Sequence, residues 1–225
     1  MTMKSVVPFM LIVLTTVASI QPLEAATKTW QGNNVSFAWS DPDNWNPPGV
    51  PQDGDDLVFQ ATVIASHFGL MINDLTNLSV GKLSFTVNAL AGVDWQLTGN
   101  ALTVREIRAT HTDDEEVYIN CPLKLGGPGR FEVGYGSEFF AEVGLHVNGP
   151  IDLNGFNLLL IEQFDGGDLD VSGEILGSGD VHILGGVELE GENPNIFVGT
   201  VYLHDSLELS PADLTLDKIN GPAIP

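Results

Sequence analysis

The segment GSGDVHILGGVELEGENPNIFVGTVYLHDSLELS, residues 177–210, decides the fold expected for this chain. Two of its apolar pairs recur after twenty residues: Val181/Ile183 as Val201/Leu203, and Val187/Leu189 as Leu207/Leu209. A constant step that contains more than one short strand is typical of a β-solenoid, in which each coil stacks on the previous one. At this period the roughly 200 residues after the N-terminal leader described below predict about eight to ten coils.

Short runs that alternate apolar and polar residues fill most of the chain after residue 60. Gly, Asn, Asp or Pro separates these runs, and no stretch keeps the apolar spacing of a helix for two turns. Another pair, Ile151/Leu153, is followed by Leu169/Val171 after eighteen residues. The sequence therefore predicts an all-β fold, a right-handed parallel β-helix (β-solenoid) with an N-terminal Trp-rich cap and an apparently truncated C-terminal end.

The charge of the chain excludes several classes of function. Asp and Glu number 30 and Lys and Arg only 8 among 225 residues, which gives a formal charge of −22. Eight scattered cations predict no basic face, so binding to nucleic acid or to an anionic membrane surface is not expected. Because apolar residues at Val187 and Leu189 should point inward, the acids Glu188 and Glu190 should lie outside. We expect such acids to be spread between turns rather than aligned in rows.

The N-terminus has the features of a secretory leader. Lys4 precedes an apolar run from Ser5 to Ile20, which is shorter than the roughly 20 apolar residues that span a bilayer. A cleaved signal peptide is favoured over an uncleaved anchor, and no second run of spanning length follows. We predict three segments: a signal peptide at 1–25, a Trp-rich cap at 26–60, and β-solenoid coils at 61–225 that are incomplete at the C-terminus. The predicted location is extracellular or on a bacterial cell surface.

Three tryptophans, Trp30, Trp39 and Trp45, lie among Pro and Gly residues within 29–59. The end of a solenoid exposes apolar side chains and unpaired strand edges, and terminal caps commonly cover both. We therefore predict that the tryptophans cap the first coil. The alternative is a carbohydrate platform, because aromatic faces also pack on sugars.

Two segments carry a family resemblance. Residues 177–210 resemble the autotransporter-associated β-strand repeat of bacterial surface proteins, with Asp205-Ser206 replacing its usual glycine turn. Residues 29–59 are similar to the N-terminal start of such secreted repeat proteins. The marked positions of the two patterns are filled by Leu189, Gly191, Asn193, Asn195, Phe197, Gly199, Val201, Leu207 and Leu209, and by Trp30, Gly32, Trp39, Asn44, Trp45, Gly49, Pro51, Gly54 and Asp55.

The resemblance implies a passenger-like scaffold that serves adhesion or surface presentation, without catalysis. Surface glycans and host or matrix components are the partners that such a role implies. The alternative is an extracellular glycan-binding or glycan-cleaving β-helix, and a third hypothesis is a fragment of a longer protein without a function of its own. The chain stops at GPAIP (221–225), inside a repeat, so we expect an open last coil that favours end-to-end self-association.

No catalytic residue, cofactor or metal ligand can be named from the sequence. The acidic run 113–116 is expected to stay hydrated, and Arg105 and Arg108 are expected on opposite faces of a strand. The segment 165–170, DGGDLD, is interpreted as a plain turn rather than a calcium loop. The five histidines show no metal-ligand spacing: His67, His111, His146, His182 and His204.

The one cysteine, Cys121, lies in the alternating segment VYINCPLKL. The alternation places its thiol on the same side as Val117 and Ile119. We expect a buried structural thiol rather than a reactive one.

Overall fold

A computed structural model describes residues 25–32, 36–60, 69–87, 94–111, 116–135, 143–163, 167–191 and 194–204. The predicted leader and residues 205–225 lie outside this part, as do the recurrence at Leu207/Leu209 and the expected open C-terminal end. In the described residues the helical content is a single 3-10 turn at Pro42–Asn44. The strands are β1 Thr27–Trp30, β2 Trp45–Asn46, β3 Asp56–Gln60, β4 Gly69–Asn73, β5 Lys82–Val87, β6 Trp95–Gly99, β7 Leu102–His111, β8 Glu116–Ile119, β9 Leu123–Tyr135, β10 Val143–Val147, β11 Ile151–Asp152, β12 Leu158–Glu162, β13 Gly167–Val171, β14 Ile175–Leu176, β15 Val181–Leu184, β16 Glu188–Leu189 and β17 Val201–His204.

The strands form two long sheets, which confirms the predicted all-β solenoid. The first sheet runs in the order β17-β15-β12-β9-β7-β5-β3-β1-β2, with β11 and β14 beside it, and the second runs β16-β13-β10-β8-β6-β4. Every pair within them is parallel except β1 with β2. Since successive coils contribute successive strands to each sheet, the six strands of the second sheet mark about five turns. The first sheet continues the stack at both ends, with β1 and β3 before the first of these turns and β17 after the last.

The expected constant step of about twenty residues is therefore wrong, and the described residues make fewer than the expected eight to ten coils. A step of twenty residues does separate Val181 from its neighbour Val201. Elsewhere the coils are longer, up to the 29 residues between Thr27 and Asp56. Ile151 pairs with Ile175 rather than with Leu169, so the eighteen-residue spacing does not correspond to one coil. Because most coils use more than twenty residues, the chain makes fewer of them.

Inward-pointing side chains form continuous columns along the axis of the solenoid. One column joins consecutive strands of the first sheet in register, and all its members are buried: Leu57, Leu83, Ile107, Phe131, Leu160 and Ile183. A second column crosses the second sheet in the same way: Met71, Leu97, Ile119, Val147, Val171 and Leu189. No single coil could bury these side chains, so the stacking of coils creates the core.

The tryptophan cluster is confirmed at the N-terminal end. Trp39 and Trp45 are 0% and 1% exposed, and Trp30 contacts Trp45 edge to face with ring centroids 5.0 Å apart. Trp39 also stacks on Phe59 of the first coils at 6.0 Å. The antiparallel strand β2 covers the outer edge of β1. Since the aromatic faces are buried in the core, these tryptophans offer no platform for a sugar ring.

The backbones of consecutive coils approach each other closely at one bend of the coil, just after the strands of the second sheet. We call this bend the corner. Gly149 and Gly173 follow the second-sheet strands β10 and β13 at the same position in consecutive coils. A Cβ atom on Gly173 would collide with the carbonyl oxygen of Gly149, and a Cβ on Gly149 would collide with that of Cys121. Only glycine allows consecutive coils to stack this closely.

Asparagine and serine side chains link the coils at the same corner. Asn148 Nδ2 donates to Asn120 Oδ1 at 2.9 Å, and the Ser172 hydroxyl donates to Asn148 Oδ1 at 2.7 Å. Stacked polar side chains of this kind satisfy one another from coil to coil. These hydrogen bonds help to fix the register between neighbouring strands of the second sheet.

Candidate functional site

A row of polar side chains crosses the outer face of the second sheet. Its members are in register on five consecutive strands, and we call it the polar row: Gln96, Tyr118, His146, Asp170 and Glu188. Each lies between inward-pointing apolar residues, so the period-two pattern places all of them outside. Stacking therefore brings together residues that are 18 to 28 positions apart in the sequence.

His146 is the centre of this row. Its Nε2 lies 2.7 Å from Glu116 Oε2, and its Nδ1 lies 2.8 Å from Asp170 Oδ2. The imidazole also stacks on the Tyr118 ring, with centroids 4.8 Å apart and planes 15° from parallel. Both nitrogens are thus engaged, and the ring connects strands β8, β10 and β13.

Gly144 makes the contact with Glu116 feasible. Gly144 pairs with Glu116 across the sheet and lies two residues before His146. A Cβ on Gly144 would collide with the Glu116 carboxylate and lie 2.7 Å from His146 Nε2. The absence of a side chain at Gly144 therefore opens the space through which the carboxylate reaches the imidazole.

The two carboxylates keep His146 charged. The hydrogen bond to Asp170, with a smaller contribution from that to Glu116, raises the pKa of His146 to about 9 although partial burial opposes this. At neutral pH the imidazolium then donates one N–H to each carboxylate. A general base needs a free nitrogen lone pair, which this ring does not have at neutral pH. The arrangement is an ion-paired bridge between coils.

The surroundings of the polar row are strongly acidic. Desolvation raises the pKa of Tyr118, and the charges of Glu116, Asp94 and Asp170 add to the effect. Desolvation also raises the pKa of Glu188, with further contributions from Glu190, Asp170 and Asp168. The expectation that acids avoid rows is wrong here, because Asp170 and Glu188 are direct cross-strand neighbours. The neighbouring His146 offsets part of their repulsion.

The outer face of the first sheet has a different charge pattern. One row there alternates in sign through Asp56, Lys82, Glu106 and Arg130. Lys82 Nζ lies 2.7 Å from Glu106 Oε1. Opposite charges on neighbouring strands stabilise a sheet, whereas like charges oppose pairing.

Arg105 and Arg108 both lie on this outer face, which corrects the expectation of opposite faces. A β-bulge between Val104 and Glu106 shifts the alternation by one residue. Arg105 is exposed, Ile107 is buried and Arg108 points outward again. A bulge adds one residue to one strand, so two positions of odd spacing can share a face.

A buried carboxylate lies beside Arg108. Glu132 is 3% exposed and pairs with Arg130 at 2.7 Å and with Arg108 at 3.8 Å. The amide of Gln163 also donates to Glu132 Oε1. Among the described residues, acids on this face balance its cations, so it is not a basic surface. The cations are Lys82, Arg105, Arg108, Lys124 and Arg130, and the acids are Asp56, Glu106, Glu132 and Asp152.

The Cys121 thiol lies outside the polar row. Cys121 is 1% exposed, and desolvation raises its pKa to about 12, which confirms a buried structural thiol.

The turn expected over 165–170 is wrong for its second half, because Asp168 and Asp170 lie on strand β13. Residues 165–166 lie outside the described residues. Residues 113–115 and His67 lie outside that part, as does the side chain of His111. Within it, His182 and His204 meet on the first sheet, with Nδ1 and Nε2 3.1 Å apart.

Sequence reasoning missed the polar row because its members are distant in sequence. Glu116 belonged to an acidic run and His146 stood alone, so neither gave a motif. The usable signal was the shared pattern of VYI at 117–119, LHV at 145–147 and LDV at 169–171, in which one polar residue separates two apolar ones. Aligning these triplets coil on coil places Tyr118, His146 and Asp170 side by side.

No protein-family model, curated protein or solved structure matches this chain. Within the described residues, no helix is long and apolar enough to cross a membrane. No group of three or more His, Cys, Asp or Glu side chains in the same part of the chain is arranged to hold a metal ion.

Proposed function

We propose that this chain is an exported, non-catalytic β-solenoid scaffold, similar in role to an autotransporter passenger, that presents its faces for adhesion or surface display. The observation that supports the proposal best is the stack of parallel coils with an apolar interior and polar rows outside. A solenoid of this kind offers long, flat faces on which neighbouring coils repeat side chains in register. Contacts along such a face can add up without a pocket.

The acidic outer face of the second sheet supports the proposed display role. Its outer face carries Asp94, Glu116, Asp168, Asp170 and Glu188, with His146 as their cationic partner. A surface of one sign repels other copies of itself side by side and keeps a secreted protein soluble. The described end of the stack, in contrast, exposes apolar side chains: Ile196, Val198 and Leu203 are 62%, 76% and 53% exposed.

Export is tested with the full chain in a Gram-negative host. The variant Leu14→Arg places a charge in the apolar run of the predicted leader and is the matched control, because it leaves residues 26–225 unchanged. The proposal expects the native chain outside the inner membrane, shortened by about 25 residues, and the variant retained in the cytoplasm at full length. Cytoplasmic retention of both proteins would contradict the proposed role.

Adhesion is tested with the purified chain on beads exposed to matrix proteins and to bacterial cells. The proposal expects capture that falls when the second-sheet acids are neutralised as a group, while the same number of changes on the first sheet has little effect. Equal capture by an unrelated acidic protein of similar size would show that charge alone explains binding, and would refute specific adhesion.

One observation favours glycan binding as the second candidate. The polar row combines an aromatic ring, Tyr118, with the amide of Gln96 and carboxylates that can accept hydrogen bonds from sugar hydroxyls. The variant Tyr118→Ala should weaken retention on a glycan array without loss of the fold, whereas Tyr202→Ala on the first sheet serves as the matched control. Release of reducing sugar from any bound glycan would show cleavage and would overturn the non-catalytic proposal.

A further inference from the structure

Two histidines on consecutive coils meet on the outer face of the first sheet. His182 in β15 pairs with Tyr202 in β17, and His204 lies two residues further along the same strand. His182 Nδ1 and His204 Nε2 are 3.1 Å apart, and the two rings are nearly parallel, at 15°. Neither histidine belongs to the polar row, which lies on the other sheet.

We propose that His182 and His204 form a two-histidine binding site for a divalent first-row transition metal ion, of the class Cu²⁺, Ni²⁺ or Zn²⁺. With metal–nitrogen bonds of about 2.0–2.1 Å, donor atoms 3.1 Å apart subtend an angle of about 100° at the metal. This angle lies between octahedral and tetrahedral values, so both nitrogens can bind one ion once each ring turns its lone pair from the other nitrogen towards the ion. Water completes the coordination sphere, since the described residues provide no third ligand of the usual types.

Proton placement in the pair is compatible with metal binding. A neutral imidazole carries one N–H and one lone pair, and either ring nitrogen can hold the proton. In the metal complex His182 keeps its proton on Nε2 and His204 keeps its proton on Nδ1. The direct contact between the two nitrogens is then replaced by two metal–nitrogen bonds, and no group is oxidised or reduced.

The surroundings favour a cation at this site. Tyr202 stacks on the His182 ring at 4.7 Å and 12°, which restricts the orientation of the imidazole. The formal charge of −22 draws cations towards the whole chain. His146 offers the natural contrast, because both of its nitrogens lie within 2.8 Å of carboxylate oxygens and are not available to a metal.

The consequence of binding is a bridge between two coils. His182 and His204 belong to adjacent strands, and His204 lies at the last described position of the stack. A metal that holds both side chains stabilises the pairing of β15 with β17, because the bound form is populated only when the two strands are paired. The affinity should follow the order Cu²⁺ above Ni²⁺ and Zn²⁺, with Mg²⁺ and Ca²⁺ unable to compete.

The test is isothermal titration of the full chain, purified without a histidine tag, with Cu²⁺, Ni²⁺ and Zn²⁺ separately, near neutral pH. We expect one bound ion per chain with a dissociation constant in the micromolar range for Cu²⁺. The variants His182→Gln and His204→Gln should each weaken binding at least tenfold, and His146→Gln is the matched control that should leave it unchanged. Hydrogen exchange at the amides of β17 should slow on addition of the metal in the native chain but not in either variant.

Three results would overturn the proposal. The first is no binding of Cu²⁺ up to millimolar concentration. The second is binding that His182→Gln and His204→Gln leave intact, which would assign the metal to His67, His111 or the acidic surface. The third is an equal loss of binding in the control His146→Gln. Because His182 and His204 lie on the outer face, circular dichroism of the variants should remain native, and this keeps loss of binding distinct from loss of the fold.

Discussion

The bridge made by His146 predicts that the stability of the solenoid depends on pH in the alkaline range. Asp170 and Glu116 raise the pKa of His146 from 6.5 to about 9 in the folded chain. A raised pKa means that the folded state binds the proton more tightly than the unfolded state does. The stabilisation is therefore fully present below about pH 6.5 and is lost as the pH rises through about 9.

The free energy that the His146 bridge contributes follows from the difference between its folded and unfolded pKa values. At about 1.36 kcal/mol per pKa unit, a pKa of about 9 corresponds to at most about 3 kcal/mol. The His146 and Asp170 side chains remain 18% and 21% exposed, so solvent screening reduces the expected value to about 1–2 kcal/mol. This is a measurable fraction of the stability of a typical domain.

The assay is urea unfolding of the native chain and of His146→Gln at intervals from about pH 6 to about pH 10.5. The difference in unfolding free energy between the two proteins should be largest at the acidic end. As the pH rises through about 9 it should fall to the part that the stacking of the neutral ring on Tyr118 contributes. Taking this difference removes the contributions of other titrating groups. The double variant Glu116→Gln/Asp170→Asn should move the midpoint of the His146 titration, followed by NMR of the ring, down towards 6.5.

Two results would refute this reasoning. One is a free-energy difference between native chain and variant that stays the same at both ends of the pH range. The other is a native His146 ring that titrates near 6.5, which would mean that the contacts with Glu116 and Asp170 do not form in solution.

Three further predictions concern the core and the corners of the coil. Trp39→Ala should lower the free energy of unfolding by about 3–5 kcal/mol in thermal or urea unfolding, because the ring is 0% exposed within the tryptophan cluster. Gly173→Ala should lower it by about 1–3 kcal/mol, because the new methyl group would press on the carbonyl of Gly149 in the coil before. Cys121 should react with a thiol reagent at about pH 8 only after unfolding, since burial raises its pKa to about 12.

Each of these has an outcome that would contradict it. Tyr202→Ala is the control for Trp39→Ala and should cost less than about 1 kcal/mol, so equal losses in both would argue against a buried cluster. A Gly173→Ala variant as stable as the native chain would mean that the coils stack less closely at this corner. Labelling of Cys121 at the rate of a free thiol, in the absence of denaturant, would place it outside the core.

The fold class could be predicted from alternation and recurrence. The pairing of Val181 with Val201 follows from the twenty-residue step, and buried positions such as Val187 and Leu189 follow from period-two patterning. The number of coils could not be predicted in this way. Coils lengthen by insertions between strands, and nothing in the apolar pattern marks how many residues an insertion contains.

Side-chain neighbours on the outside were harder to predict than the core. They depend on register, and one extra residue reverses the face of every position that follows it. The bulge after Val104 places Arg105 and Arg108 on one face for this reason. His146 and Asp170 meet because the register of β10 against β13 places them directly opposite each other. The spacing of histidines within the sequence does not show this register.

The position of the tryptophan cluster could be predicted, because the end of a solenoid must be covered. The arrangement of the strands beside it could not. The requirement to cover the first coil indicated a role for Trp30, Trp39 and Trp45. The sequence did not indicate that β1 also serves as the first strand of the parallel stack while β2 turns back antiparallel beside it. That reversal depends on the path of the intervening residues, which the period-two pattern does not describe.

Parallel stacking of the coils underlies the core columns and every outer side-chain row, and nuclear Overhauser contacts in the labelled chain test it most directly. In a parallel stack, Lys82 and Glu106 and then Glu106 and Arg130 are neighbours on adjacent strands. We predict sequential amide-to-Hα contacts with parallel geometry along this series, with the same order of residues on every strand. Short Hα–Hα contacts that run in opposite order, as in hairpins, would contradict the solenoid and every side-chain row derived from it.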